Sequence, residues 1–498
     1  MFSPSLEEVK KISKNKEYKR IPISYELFSD MATPIEVLRV LKGISKHCYM
    51  LESIEDAEKW GRYSFLGFNP VLEFTCQNGL VRIKGDENFE QFSDDEIIIG
   101  TDNPSKVIRD LVKLNKSPKL DYLPPFTGGF VGYFAYDYIK YAEPSLNLDA
   151  ENLDQFKDID LMLFDKVIAF DNFKQKIILI SNMKTDDLEN NYEKACSELK
   201  DLANLIKNGK KADIAPLELR SDFKPVFSKE KYCDMVVKAK NYIKEGDIFQ
   251  VVLSNKIEAD ICGSLFDTYR VLRTTNPSPY MFYFSSDDIE IAGASPETLV
   301  KLTDKKLYTF PLAGTRPRGK TEEEDLKLEQ ELLADEKELA EHNMLVDLGR
   351  NDIGRISEIG SVNVEKYLSV ERFSHVMHIG STVTGTLRSD LDSLAAIDSI
   401  LPAGTLSGAP KIRACEIINE LEDNKRGIYG GAIGYVDLSG NIDTCISIRI
   451  AFARNNKVFI RSGAGIVADS VPEKEFEESL NKAAAVINAL EIANGGIE

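Results

Sequence analysis

GKKADIAPLELRSDFKPVFS, from Gly209 to Ser228, is polar, proline-bearing and aperiodic, and it separates two differently patterned halves of the chain. Upstream, to about residue 180, short apolar runs bounded by glycine or proline dominate. GRYSFLG from Gly61 and KVIAF from Lys166 are examples, and this is a strand pattern. Between Asp186 and Leu205 the period turns helical. Downstream, Tyr232, Met235, Val236, Ala239 and Ile243 form the apolar stripe of a helix that stops at Gly246. In the strand that follows, Gln250 and Ser254 share a face with Ile248 and Val252, so they lie at an exposed edge or point into a pocket. Periodicity therefore predicts mixed α and β structure, with an N-terminal domain at 1–210, a linker at 211–228 and a second domain at 229–498. GGFVGY from Gly128 echoes GGAIGY from Gly430, which six residues support only as two glycine-kinked strands of similar shape.

The 498 residues are 43% hydrophobic and 29% charged, enough apolar material for two to four domains of ordinary size. A formal net charge of -19 argues against nucleic acid and anionic membrane surfaces as partners, because both demand a basic footprint. Any anionic substrate must then be held by local cations. The seven cysteines are scattered without C-x-x-C spacing, which reads as free thiols in a reducing compartment. The N-terminus is polar and charged, and no apolar run reaches about 18 residues. A soluble, cytoplasmic protein is expected.

Two pairs of glutamates carry the chemistry. Glu338 with Glu341, and Glu475 with Glu478, are spaced i, i+3 in helical segments, so each pair shares one face and repels by about 0.2–0.5 kcal/mol. Converging faces would form an oxygen-only, strongly negative cluster suited to Mg²⁺. Among 81 acidic residues, either pair alone reads first as a solvated helix face, and only its context points to a metal. Glycine-rich turns crowd the same half: GASPE from Gly293, PLAGTRPRG from Pro311, VDLGRNDIGR from Val346, AGTLSGAPK from Ala403 and RSGAGIVADS from Arg461. Such turns aim backbone N–H groups at an oxyanion, as a carboxylate ligand requires. None has the spacing of a phosphate-binding loop.

Taken in order with AEHNMLVDLGRND, VMH, YGGAIGY and ISIR, these motifs closely resemble the large subunit of anthranilate synthase, a branch of the chorismate-utilising enzymes. The resemblance spans residues 20–490 and is densest from Ser228 to Ile487. It implies an α+β fold of antiparallel sheets packed as a sandwich with helices outside, in two intimately packed domains. It also implies a reaction of chorismate with ammonia to aminodeoxyisochorismate, followed by loss of pyruvate to give anthranilate. By the same resemblance Glu341 and Glu478 ligate Mg²⁺ directly while Glu338 and Glu475 hold its water shell. Arg449, Tyr429 and the backbone of Gly463, Ala464 and Gly465 take the enolpyruvyl carboxylate, where a planar guanidinium gives oriented binding. Gly314, Thr315 and Lys411 line the substrate wall, Lys411 alternatively being a surface charge. His378, Glu341, Thr405 and Gln250 form the catalytic set, with His378 as proton donor to the departing ring hydroxyl; His342 reads as a packed histidine.

Ala313 stands where aminodeoxychorismate synthases carry a nucleophilic lysine, and Gln250 where isochorismate synthases carry a lysine base; both favour ammonia as nucleophile. Val471 in Ser470-Val471-Pro472 replaces the commoner aspartate and removes a negative charge from a helix start. No G-x-C-x-G nucleophile turn is present, so a separate glutamine amidotransferase subunit in a 2:2 or larger hetero-oligomer is expected to supply ammonia. Leu51, Glu52 and Ser53, with Pro279, Tyr280 and Met281, resemble a tryptophan feedback site. Two other readings are an aminodeoxychorismate synthase and a tryptophan-sensing relative without catalysis.

Overall fold

A computed structural model describes residues 2–53, 61–85, 96–372 and 376–497; His375, read from sequence as a packed histidine, lies outside them. Among the described residues two antiparallel sheets, of 14 and 12 strands, face each other, and each takes strands from both sides of the 211–228 stretch. The first sheet runs outward from the join Cys48–Glu52 to Tyr63–Phe68, Lys166–Asp171, Lys176–Lys184 and Arg20–Phe28. On the other side of that join it runs through Tyr280–Ser285, Glu290–Ser295, Ile450–Arg454, Lys457–Ile466 and Gln250–Cys262. The second sheet joins Gly129–Phe134 to Ala432–Asp437, with three or more strands outward on each side.

Each half thus repeats one strand order about the two joins. Leu51 faces Phe282 at one join, and Gly132 faces Gly434 at the other. GGFVGY and GGAIGY are therefore partner strands in a duplicated topology, a relation far larger than their six residues indicated. Glycine is required where they meet: a Cβ on Gly132 would lie 2.0 Å from the Asp160 carbonyl oxygen, and one on Gly434 2.2 Å from that of Asp443. Neighbouring ladders approach too closely there for any side chain.

The space between the sheets is filled by aromatics contributed by both, including Tyr49, Phe126, Tyr133, Phe164, Phe282 and Phe452. Tyr49 meets Phe164 edge to face at 4.7 Å between centroids, the geometry their quadrupoles favour. Outside, helices Leu188–Asn208 and Pro472–Ala493 bury Leu199, Leu202, Val486 and Leu490 against the first sheet. Helices Pro104–Leu114 and Ser393–Ile400 cover the second sheet through Ile108, Leu111, Leu394 and Ile397. Within the stretch 211–228, Glu218–Leu219 and Lys224–Pro225 are short strands laid along Gln250–Cys262. Two-residue edge strands carry too little periodicity to be legible, and an edge tolerates Pro225.

Candidate active site

A cavity of about 1000 Å³ opens in the second half. Its walls are the paired strands Gln250–Cys262 and Lys457–Ile466 and the helices Glu336–Gly354 and Pro472–Ala493. Asp335 caps the first of these helices, its carboxylate accepting from Lys337 N at 3.1 Å and Glu338 N at 3.2 Å. Val471 precedes Pro472 at the start of the second without a side-chain cap. The helical spacing brings Glu338, Glu341, Glu475 and Glu478 onto the one cavity. Burial, then the charge of Glu338, pushes the Glu341 carboxyl up, and Glu478 on the facing helix adds to the same effect. Glu475 is likewise raised, chiefly by burial, with Ser470 opposing and Glu478 reinforcing.

Among the described residues no three His, Cys, Asp or Glu groups are drawn into a ready-made metal centre. Two cations stand with the glutamates instead: Arg316 Nη1 lies 3.5 Å from Glu338 Oε1, and Lys482 Nζ lies 2.7 Å from Glu478 Oε1. The donor set is all carboxylate oxygen, lacks nitrogen and sulfur, and fits a hard cation such as Mg²⁺.

Further in, Glu297 lines the cavity and accepts a hydrogen bond from Thr405 Oγ1 at 3.0 Å. Burial pushes its carboxyl from 4.5 to about 7, against the opposing pull of Thr405, Arg449 and Lys482. It sits at the start of strand Thr298–Thr303, whose pairing with Ile442–Ile446 slips between Thr298 and Val300. Bulges of this kind re-aim side chains beside active sites. Sequence reading treated GASPE only as a glycine turn, and its last residue is the buried acid. A glutamate that closes an apolar strand start was the available signal.

Arg449, Tyr429, Gly463 and Gly465 line the same space, whereas Ala464 alternates inward and is fully buried. Arg449 holds a left-handed backbone at φ 52°, a conformation that clusters at functional sites. Burial pulls its guanidinium down, Glu297 opposing. Lys482, which sequence reading also missed, donates to the Gly463 carbonyl at 3.2 Å; it lies one helical turn after Glu478. Behind Tyr429, buried Arg426 and Arg461 both grip the buried Glu422 carboxylate, at 2.5 and 2.8 Å, and so tie helix Lys411–Glu422 to the cavity floor.

Gln250, 7% exposed, lines the cavity with a side-chain carbonyl oxygen that is buried and accepts no hydrogen bond. Gly314 and Thr315 form the opposite wall on strand Leu312–Pro317. Gly314, at φ +65°, passes where a Cβ would lie 3.2 Å from a Glu338 oxygen, so glycine lets the wall approach the acidic cluster. His378 stands beside that wall, its Nδ1 2.8 Å from the Gly314 carbonyl and 3.1 Å from Thr315 Oγ1. Desolvation pulls its pKa below the ordinary value, with the Gly314 carbonyl opposing and Arg449 reinforcing. His342 is fully buried, with its Nε2 2.7 Å from Ser381 Oγ.

Lys411 departs from its expected place on the substrate wall. Its ammonium donates to both Asp352 oxygens at 2.8 and 2.9 Å and to the Ile400 carbonyl at 2.9 Å. It ties three helices together; a lysine opening a helix is not distinguishable in sequence from a ligand-facing one.

A second cavity, of about 310 Å³, lies beside the join between the two halves, and Leu51, Glu52, Ser53, Pro279, Tyr280 and Met281 all line it. Glu52 is held by Tyr269 at 2.6 Å and by Arg273 Nη2 at 3.0 Å. Arg62, Tyr63 and Asp443 complete much of its wall.

Residues 46–488 match the family described as chorismate binding enzyme. The chain is 45% identical to anthranilate synthase component 1 of Aquifex aeolicus over 98% of each chain, and 45% identical to that of Acetivibrio thermocellus over 99% of each. Among solved structures, anthranilate synthase component I from Streptococcus pneumoniae TIGR4 superposes with a TM-score of 0.73 at 38% identity, covering 92% of this chain and 98% of that one. The menaquinone-specific isochorismate synthase MenF of Escherichia coli shares the fold, with a TM-score of 0.68 at 19% identity over 97% of this chain and 98% of that one. With its two-sheet sandwich and its cavity between acidic helices and a glycine-lined strand wall, the chain belongs to the chorismate binding enzyme family.

Proposed function

We propose that this chain is the synthase subunit of an anthranilate synthase, converting chorismate and ammonia to anthranilate and pyruvate as the committing step toward tryptophan. The observation that carries the reading is one cavity that joins an all-carboxylate cluster fit for a divalent cation, an arginine and glycines fit for an anion, and a buried acid of near-neutral pKa. Glu338, Glu341, Glu475 and Glu478 would hold Mg²⁺, which supplies a positive charge for the substrate's ring carboxylate. Arg449, Tyr429 and the glycines at 463 and 465 meet the enolpyruvyl carboxylate.

Ammonia adds to the ring as its hydroxyl departs, taking a proton to leave as water. Glu297, about half protonated near pH 7, is the better donor than His378, whose pKa desolvation lowers, and Thr405 fixes its orientation. His378 instead steadies the Gly314–Thr315 wall through that carbonyl and hydroxyl. The unpartnered Gln250 oxygen can accept an N–H from ammonia and hold it for attack, without the basicity needed to activate water. Elimination then makes the ring aromatic: the amine-bearing ring carbon loses its proton, the ring C–O bond breaks, and the departing enolpyruvyl group gains a proton at its methylene to become pyruvate. Ala313 offers no amine for the lysine adduct of aminodeoxychorismate synthesis.

Ammonia would reach this subunit from glutamine through an amidotransferase partner in a hetero-oligomer, and tryptophan would bind the second cavity as a feedback inhibitor. No helix among the described residues is long and apolar enough to cross a membrane, which accords with work in the cytoplasm. Purified protein given chorismate, Mg²⁺ and ammonium salt tests the reading by product: fluorescent anthranilate is expected. Isochorismate, aminodeoxychorismate or no turnover overturns it.

A further inference from the structure

Glu297 and Thr298 are consecutive: the first lines the large cavity, and the second contacts a wall residue of the cavity at the join. Successive side chains of a strand point to opposite faces. Glu297 enters the large cavity, while the Thr298 hydroxyl lies 2.9 Å from the hydroxyl of Tyr280, a wall residue of the cavity at the join. The partner strand repeats the division. Cys445, opposite Thr298, lines the cavity at the join, and the amide of the next residue, Ile446, donates to the Glu297 carbonyl at 2.9 Å. Tyr280 also donates to Asp443 at 2.8 Å, another wall residue. The slip in pairing, between Thr298 and Val300, follows directly.

We infer that the Tyr280–Thr298 hydrogen bond is a positioning element for Glu297, and that a ligand in the cavity at the join acts on catalysis through it. This rests on the proposed function for the identity of the reaction and of tryptophan as the ligand. A ligand that moves Tyr280 moves the hydroxyl bonded to it, and with it the peptide that carries Glu297. A bulge leaves one residue out of the ladder, so fewer backbone hydrogen bonds resist a shift here than in a regular strand. The ligand's influence is its difference in affinity for the two positions of that peptide, and by reciprocity substrate occupancy weakens the ligand equally.

Thr298→Val removes the hydroxyl and keeps the shape, and Thr298→Ser keeps the hydroxyl. Tryptophan binding is read by calorimetry, and inhibition by anthranilate formation at matched saturation with chorismate. Binding of tryptophan to free Thr298→Val is expected within threefold of the wild type, with the concentration for half-maximal inhibition raised at least tenfold. Thr298→Ser restores inhibition, and Tyr280→Phe, which keeps the aromatic wall, repeats the uncoupling if the valine variant does not fold. Wild-type inhibition in both Thr298→Val and Tyr280→Phe overturns the inference, as does a loss of binding that fully accounts for the lost inhibition. Wild-type protein that makes anthranilate and ignores tryptophan would instead refute the feedback reading on which the inference stands.

Discussion

Replacing Glu297 with glutamine removes a buried carboxyl whose pKa is pushed up to about 7 while keeping its volume and its contact with Thr405. A positioned acid contributes about 10²- to 10⁴-fold to rate, so kcat is expected to fall by that factor with a smaller change in KM. The pH dependence gives a sharper check. The donor must be protonated, and its pKa is about 7, so wild-type kcat falls as pH rises through that value. The limb is absent from Glu297→Gln. Thr405→Val, which removes a hydrogen bond favouring the charged form, moves the limb to higher pH. Stability follows the same group. A carboxyl raised from 4.5 to about 7 on folding contributes stability that is complete below 4.5 and lost as pH rises through 7. That span corresponds to about 3 kcal/mol, which the glutamine variant does not show. Anthranilate fluorescence between pH 5.5 and 8.5, with denaturant midpoints over the same range, measures both. A variant within threefold of wild-type kcat, or one that keeps the wild-type limb, refutes Glu297 as proton donor.

Lys411→Met strands the buried Asp352 carboxylate and is expected to cost about 3–5 kcal/mol, more at pH 8 than at pH 5, with an unchanged KM for chorismate. Denaturant titration and steady-state kinetics check the two halves of that statement. Gly132→Ala drives a methyl to within 2.0 Å of the Asp160 carbonyl and should cost upward of about 4 kcal/mol, whereas Gly100→Ala meets nothing within 4 Å and should be near neutral in thermal melts. Ser53→Phe fills part of the cavity at the join; inhibition by tryptophan should weaken at least tenfold, and unchanged inhibition would remove that cavity from the feedback site.

The glutamate pairs were readable because helical spacing alone puts i and i+3 on one face, and the structure supplied the facing helix that sequence could not. Their joint presence on one cavity depends on a sheet that brings residues 338 and 475 together across more than a hundred positions. The duplication was nearly invisible, because only the glycines at the join must recur while the packed faces need only volume and polarity. Glu297 escaped notice for a related reason: burial raises its pKa, and burial is a tertiary property. Lys411 misled because lysine at a helix start serves a buried carboxylate and an external ligand equally well. The sandwich itself followed from resemblance, since period-two runs specify strands and leave their pairing open.

The account stands on a divalent cation held between two acidic helices. The most direct measurement is Mn²⁺ binding, read by electron paramagnetic resonance with and without chorismate, in wild type, Glu341→Gln and Glu478→Gln. One tight site strengthened by chorismate in the wild type, weakened at least tenfold in each variant, is the predicted result. Equal Mn²⁺ binding in all three proteins, or chorismate binding indifferent to the ion, would contradict it.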